Sequence, residues 1–154
     1  MLIAVNHMMG LSLSKDFYIP FGKADVKNVG DDITIVTYGA MVEKSIRAAR
    51  EMAKKNVSVE VIDLRTIVPL DMETVLNSVK KTGKVMVVYE DSKFMGFGAE
   101  ICAQISELAF EYLDAPIKRV AALDVHIPFS HVLESAVLPQ DDTILKECEK
   151  LSEY

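Results

Sequence analysis

Phe94-Met95-Gly96-Phe97-Gly98 is a glycine-spaced string that runs straight into a helical pattern. A helix N-terminus behind such a turn presents unpaired backbone N–H groups, which bind phosphate or carboxylate. The string lacks a third spaced glycine, and Glu100 falls in the first helical turn, where its charge competes with an anion for the same dipole. Gly96 and Gly98 equally suit close packing of that helix on a strand. Glu90-Asp91, just before the string, offers a carboxylate pair for acid–base work, with a plain solvated turn as the other reading. Arg65 ends an apolar run and is read first as a structural ion pair with Glu90 on a neighbouring strand. Arg65, Glu90, Gly96 and Gly98 are thus the strand-end candidates.

Other reactive residues offer less. His126 and His131 are five apart in a loop, a spacing no helix aligns, with no third ligand nearby, so no metal site is expected. Ser130, His131 and Glu134 have the residue types of a hydrolytic triad, but chain neighbours rarely point at one another and no GxSxG string exists. Cys102 and Cys148 form no CxxC pair, and both fall at apolar helical positions, as reduced core thiols do. No catalytic residue is assigned.

The elements that must position these residues alternate. Strands are expected at residues 23–29, 33–38, 57–64, 84–89 and 117–121, the second dense in Ile, Val, Thr and Tyr and the fourth carrying the apolar run Val85-Met86-Val87-Val88. Between them, Val42, Ile46, Ala49 and Ala53 mark one helical face, and Met72, Val75, Leu76 and Val79 mark another, with Asp71 as N-cap and Gly83 as stop. Ile101, Ile105, Leu108, Ala109 and Tyr112 mark a third. Residues 122–140 read as a long irregular segment, and a helix capped by Asp141 buries Ile144, Cys148 and Leu151. Gly30-Asp31-Asp32 is short enough to read as a strand reversal, which makes the first strand the antiparallel exception in a mostly parallel sheet with helices on both faces. Ligands of such sheets sit beyond the carboxyl ends of the strands, here Tyr38-Gly39, Arg65-Thr66, Glu90-Asp91 and Leu123-Asp124.

Composition narrows the partners. The 154 residues hold 17 basic and 23 acidic side chains, a net charge of −6. That balance argues against nucleic acid or an anionic membrane as partner, since both are held by clustered Lys and Arg. No apolar run approaches the roughly 20 residues that span a bilayer. Without a disulfide framework the chain suits a reducing compartment, the cytoplasm or an organelle matrix. Residues 2–5 read as a short strand, and the stretch up to residue 22 as a linker leaving an earlier element.

Longer strings carry a resemblance. Ile19-Pro20-Phe21-Gly22-Lys23-Ala24-Asp25-Val26, Asp32-Ile33-Thr34-Ile35-Val36-Thr37-Tyr38-Gly39 and Asp63-Leu64-Arg65-Thr66-Ile67-Val68-Pro69-Leu70-Asp71 are followed in order by Lys81-Thr82-Gly83, Gly96-Phe97-Gly98-Ala99-Glu100-Ile101, Leu113-Asp114-Ala115-Pro116 and Arg119-Val120. Together they resemble the C-terminal, transketolase-type domain of the β subunit of thiamine-diphosphate-dependent 2-oxo acid dehydrogenases of the pyruvate, branched-chain or acetoin type. The resemblance implies a three-layer α/β/α sandwich with a five-stranded, mostly parallel sheet and one antiparallel strand. It divides the chain into residues 1–22, a remnant strand and linker of a pyrimidine-binding domain, and residues 23–154, the transketolase C-terminal-like domain.

It also implies thiamine diphosphate and magnesium in the complete enzyme, held between an α subunit and a β-subunit pyrimidine domain that this chain lacks, and none in this chain alone. The implied partners are the α subunit, a second β subunit and the subunit-binding domain of a lipoyl acyltransferase. Asp114 and the terminal Glu153 and Tyr154 are the implied docking residues for the last. The alternatives are the C-terminal part of a split transketolase or deoxyxylulose-phosphate synthase, and a stand-alone module that binds a partner or an anion. Tyr89-Glu90 stands where the family often has His-Glu, Met95 where it has Gly and His126 where it has Pro, and these departures leave the 2-oxo acid open.

Overall fold

In a strand, successive side chains point to opposite faces, so a run such as Ile33–Thr37 with every residue buried needs cover on both. The computed structural model, which describes residues 18–154, supplies that cover. Five strands, β1 (Asp25–Asn28), β2 (Ile33–Thr37), β3 (Val59–Asp63), β4 (Val85–Ser92) and β5 (Lys118–Ala122), form one sheet in the order β1-β3-β2-β4-β5. All neighbours are parallel except β1 against β3. Helices α1 (Met41–Ala53) and α5 (Asp141–Ser152) cover one face, α2 (Met72–Thr82) and α3 (Phe97–Ala109) the other, and a short α4 (His131–Val137) precedes α5. The strand expected at residues 2–5 lies outside the described residues.

The alternation sorts two cores. Ile33, Ile35, Val61, Met86, Val88 and Val120 meet Met41, Ala48, Met52, Ile144, Cys148 and Leu151 on one side. On the other, Val36, Ile62, Val85, Val87 and Tyr89 meet Val75, Val79, Ile101 and Ile105. Buried Thr34 breaks the apolar pattern, and its hydroxyl is satisfied by Ser78 Oγ at 2.6 Å and Thr82 Oγ1 at 2.7 Å on α2. Asp71 caps α2 by accepting the Thr74 N–H at 3.2 Å, and Gly83 ends it at φ +67°, a conformation that favours glycine.

Three expectations need correction. The 30–32 turn does reverse the chain, but β1 and β2 do not pair, because β3 lies between them. Gly30 crosses so close to β3 that a Cβ there would sit 2.3 Å from the Val59 carbonyl carbon. The 122–140 segment is not wholly irregular, since it contains α4. Asp141 is the first residue of α5 rather than its cap, and its carboxylate instead takes Arg47 of α1 at 2.6 and 2.9 Å, pinning the two helices together. The exposed faces also differ in detail: Leu108 is 53% and Tyr112 41% exposed, because α3 ends at Ala109 and a single 3-10 turn, Phe110–Tyr112, carries the chain off the sheet.

Candidate functional site

The carboxyl ends of the strands do gather the residues singled out by spacing, but not as a reaction centre. Arg65, at φ +57°, sits two strands away from Glu90, because β2 separates β3 from β4. Its guanidinium turns outward to Asp25 on β1 at 2.6 Å, so the expected Arg65–Glu90 pair is not formed. Asp25 also holds Lys27 at 2.7 Å, and these two cations keep its carboxyl below the usual range, the Lys27 hydrogen bond foremost. Gly22 and Ala24 are tied to the same corner through Thr66 Oγ1 and Asp71 Oδ2, both at 3.0 Å. This corner is a clasp between the leading segment and the β3–α2 turn.

The glycine string resolves into packing. A Cβ at Gly98 would lie 2.0 Å from Cε1 of Tyr89, and one at Gly96 would lie 2.1 Å from the Ser92 carbonyl. The start of α3 is therefore pressed onto the Tyr89 ring, which is wholly buried and stacks on Tyr38 at 6.5 Å. Tyr38 in turn meets Phe97 edge-on at 6.2 Å. Burial, then the nearby Asp91 carboxylate, push the Tyr38 hydroxyl up to about 12, so it is a neutral donor at any physiological pH. Asp91 itself accepts the Phe97 N–H at 3.3 Å and takes the place an anion would occupy at the helix start. Glu90 is half-buried, its Oε1 only 2.9 Å from where a Gly39 Cβ would stand.

Sequence reasoning missed what fixes the β4–α3 loop. Asp124 Oδ1 accepts from Ser92 Oγ at 2.7 Å and from the Phe94 N–H at 2.6 Å, while Arg119 Nη1 donates to the Lys93 carbonyl at 2.8 Å. An Asp two residues past a strand end and an Arg on an edge strand are weak signals, because their partners are set only by sheet order. Thiamine diphosphate with magnesium does not fit the described residues. Among the described residues no group of three or more His, Cys, Asp or Glu side chains converges on a point, and the α3 N-terminus is already filled by Tyr89 and Asp91. His126 and His131 are exposed, the latter 3.7 Å from Glu134. Burial pushes the Cys102 thiol up to about 11 and Cys148 to about 12, which leaves both unreactive.

The docking candidates lie toward the opposite end of the sheet, each beside a different neighbour. The Asp114 N–H donates to the Gly83 carbonyl at 2.8 Å, and its carboxylate lies against Gly83, 2.2 Å from where a Cβ would stand. The next residue, Lys84, reaches the Ser152 carbonyl at 3.4 Å. Lys118 Nζ lies 5.9 Å from the centre of the Tyr154 ring. Asp114, Glu153 and Tyr154 are all exposed. An open groove of about 560 Å³, lined by Cys102, Ser106, Phe110, Leu113 and Ile117, runs up to Asp114.

The family profile "Transketolase, C-terminal domain" matches residues 22–144, the whole of the sheet and its first four helices. The chain belongs to this family. It is 46% identical over 140 residues, 91% of its length, to the "Pyruvate dehydrogenase E1 component subunit beta" of Bacillus subtilis (strain 168), and equally to that of Staphylococcus aureus (strain Mu50 / ATCC 700699). It spans 43% of the length of each. Among solved structures it is similar to a chain described as "Split gene transketolase, inactive beta4 tetramer", with TM-score 0.77 and 26% identity over 92% of this chain and 45% of that one. The fold is the expected one, five strands with a single antiparallel pair between helical layers.

Proposed function

We propose that the chain is the assembly domain of the β subunit of a pyruvate-type 2-oxo acid dehydrogenase, and that it holds no catalytic residue of its own. The observation that carries this reading is the match to two pyruvate dehydrogenase β subunits over 91% of the chain, joined to a carboxyl-end face where Arg65, Asp91 and Asp124 are engaged in internal contacts. Residues 23–154 are the assembly domain. In the complete enzyme thiamine diphosphate and magnesium sit between a β-subunit pyrimidine domain and an α subunit, and the acyl group formed there passes to a lipoyl carrier. The domain works in the cytoplasm or an organelle matrix, and no described helix is long and apolar enough to cross a membrane.

The acyltransferase's basic subunit-binding domain docks at the amino-end corner, on Asp114, Glu153 and Tyr154. Support comes from the exposure of all three and from the groove that ends on Asp114. Rim charges act on association rate and salt dependence more than on affinity. Asp114→Asn is therefore expected to slow association with the purified binding domain and to flatten its salt dependence. An on-rate unchanged at both low and high salt removes Asp114 from the site. Calorimetry with thiamine diphosphate and magnesium tests the other half: the isolated chain is expected to give no heat of binding, and micromolar binding overturns the assembly reading.

The second reading is a β chain of a split transketolase, favoured by the structural likeness to the "inactive beta4 tetramer". The higher identity to the pyruvate dehydrogenase subunits places it behind the first.

A further inference from the structure

The outermost strands of a sheet have a neighbour on one side only, and their outward N–H and C=O groups are free to pair with another chain. The two edges here are not alike. β1 has four residues, and its pairing slips between Val26 and Asn28, which breaks up the row of backbone groups. β5 has five residues, lies parallel to β4 and ends the sheet. Among the described residues, the one backbone hydrogen bond that β5 makes outside the sheet runs from the Lys93 N–H to the Ala122 carbonyl, at 3.1 Å. Beside this open edge runs the groove of about 560 Å³, with Cys102, Ser106 and Phe110 on one side and Leu113 and Ile117 on the other. Ile117 and Ala121 turn to the groove face of the sheet, so Arg119 between them does too, while Lys118 meets the Tyr154 ring on the opposite face. Arg119 works against the burial that raises the Cys102 thiol, so its guanidinium stands at the Cys102 end of the groove. Its hydrogen bond there goes to the Lys93 carbonyl, a neutral acceptor that leaves the charge in place. At the other end stands the exposed Asp114 carboxylate.

The geometry points to β5 and this groove as the docking site for an extended segment of a partner protein, which adds a sixth strand antiparallel to β5. Antiparallel pairing is the more stable of the two per residue. Alternate side chains of the added strand face the groove. The segment therefore reads acid, apolar, apolar, base at every second position, with the acid on Arg119 and the base on Asp114. Five residues separate those two groups, at most about 18 Å of chain. Opposite charges that far apart suit the two ends of a short strand, not one small molecule. The site shares Asp114 with the docking surface proposed above, but it takes a linear segment where that surface takes a folded basic domain. Main-chain hydrogen bonds supply the affinity, and the groove and its two charges supply the specificity.

Fluorescence polarisation of the whole chain with a labelled, end-capped peptide, Glu-Thr-Val-Thr-Val-Thr-Lys, tests this. Saturable binding is expected. Methylating the backbone nitrogens of one alternate set of peptide residues is expected to abolish it and methylating the other set to leave it, because only one set faces β5. Ser106→Trp fills the groove from an exposed position and should weaken binding at least about tenfold, as loss of a pocket for apolar anchors does. Circular dichroism checks the fold; should that variant unfold, Ser106→Leu is expected to weaken binding in the same direction. A peptide with Glu and Lys exchanged is expected to bind less tightly. The absence of saturable binding overturns the inference. So does binding to which the two methylated peptides respond alike, or which ignores the Ser106 substitution or the exchange of charges. A chain that binds the acyltransferase's binding domain but not the peptide sinks this inference alone. One that binds the peptide but never that domain sinks only the docking surface proposed above.

Discussion

At the carboxyl ends of the strands Phe21, Val68, Phe94 and Leu123 stand exposed, whereas Lys84, Asp114, Lys118 and Tyr154 gather at the amino ends of β4 and β5. In most open α/β sheets the carboxyl ends hold the polar ligand site. Here three charged groups at that end are spent on internal geometry: Arg65 on Asp25, Asp91 on the start of α3, Asp124 on the β4–α3 loop. Large apolar side chains reach the surface there beside the exposed Asp91, Lys93 and Asp124. The amino end keeps free charge on a loosely filled corner. The two ends therefore differ in how tightly each glycine and each carboxylate is built in, and substitution measures that difference directly.

The largest effect is expected at the carboxyl end. Gly98→Ala drives a methyl into the Tyr89 ring, which is buried and cannot give way, so the start of α3 must lift. A loss of about 3 kcal/mol in denaturant unfolding is expected, the upper range for overpacking. A loss under about 1 kcal/mol would show that the ring has room to turn.

Asp71 comes next. Its burial alone would raise its carboxyl, but hydrogen bonds from Ala24 N–H and from the Thr74 side chain and N–H outweigh that and hold it below the ordinary 3.8. A carboxylate with a lowered folded value adds stability that is complete above its unfolded value and is lost as pH falls through the folded one. Asp71→Asn should cost about 2 kcal/mol at neutral pH. The gap to the parent chain should narrow as the pH falls below 3.8. Thermal unfolding across that range checks both, and a gap independent of pH would mean the charge is not what caps α2.

Gly83→Ala tests the amino end with the same chemistry as Gly98→Ala. The left-handed backbone at φ +67° disfavours any side chain, but the group in the way is the exposed Asp114 carboxylate, which can swing into water. A loss of about 1 kcal/mol is expected, and a loss equal to that of Gly98→Ala would erase the contrast between the ends. Asp114→Asn is the smallest, within about 0.5 kcal/mol in stability because the side chain is exposed. A larger loss would make Asp114 a structural turn residue rather than a free charge.

Much of this molecule was legible in the residues because it depends on local periodicity. The alternating runs located all five strands, and Asp71 and Gly83 marked both ends of α2 as their side-chain chemistry requires. α4 was not legible, since Val132 and Leu133 face water and leave no one-sided stripe to detect. The strand-end candidates were placed on the right edge of the sheet, but their partners were not, and Gly98 looked as much like an anion loop as like a packing site.

The sequence by itself determined the five strands, the helices other than α4 and the single antiparallel strand, because these follow from residue type at short spacing, and its longer strings carried the resemblance to the family. Only the tertiary structure decided that β3 enters between β1 and β2, which hands Arg65 to Asp25 instead of Glu90. It alone put the Tyr89 ring under Gly98, and left the 123–133 segment uncovered. Those outcomes hang on which strands become neighbours and which faces stay bare, and strand order is settled by long-range burial that no local spacing encodes.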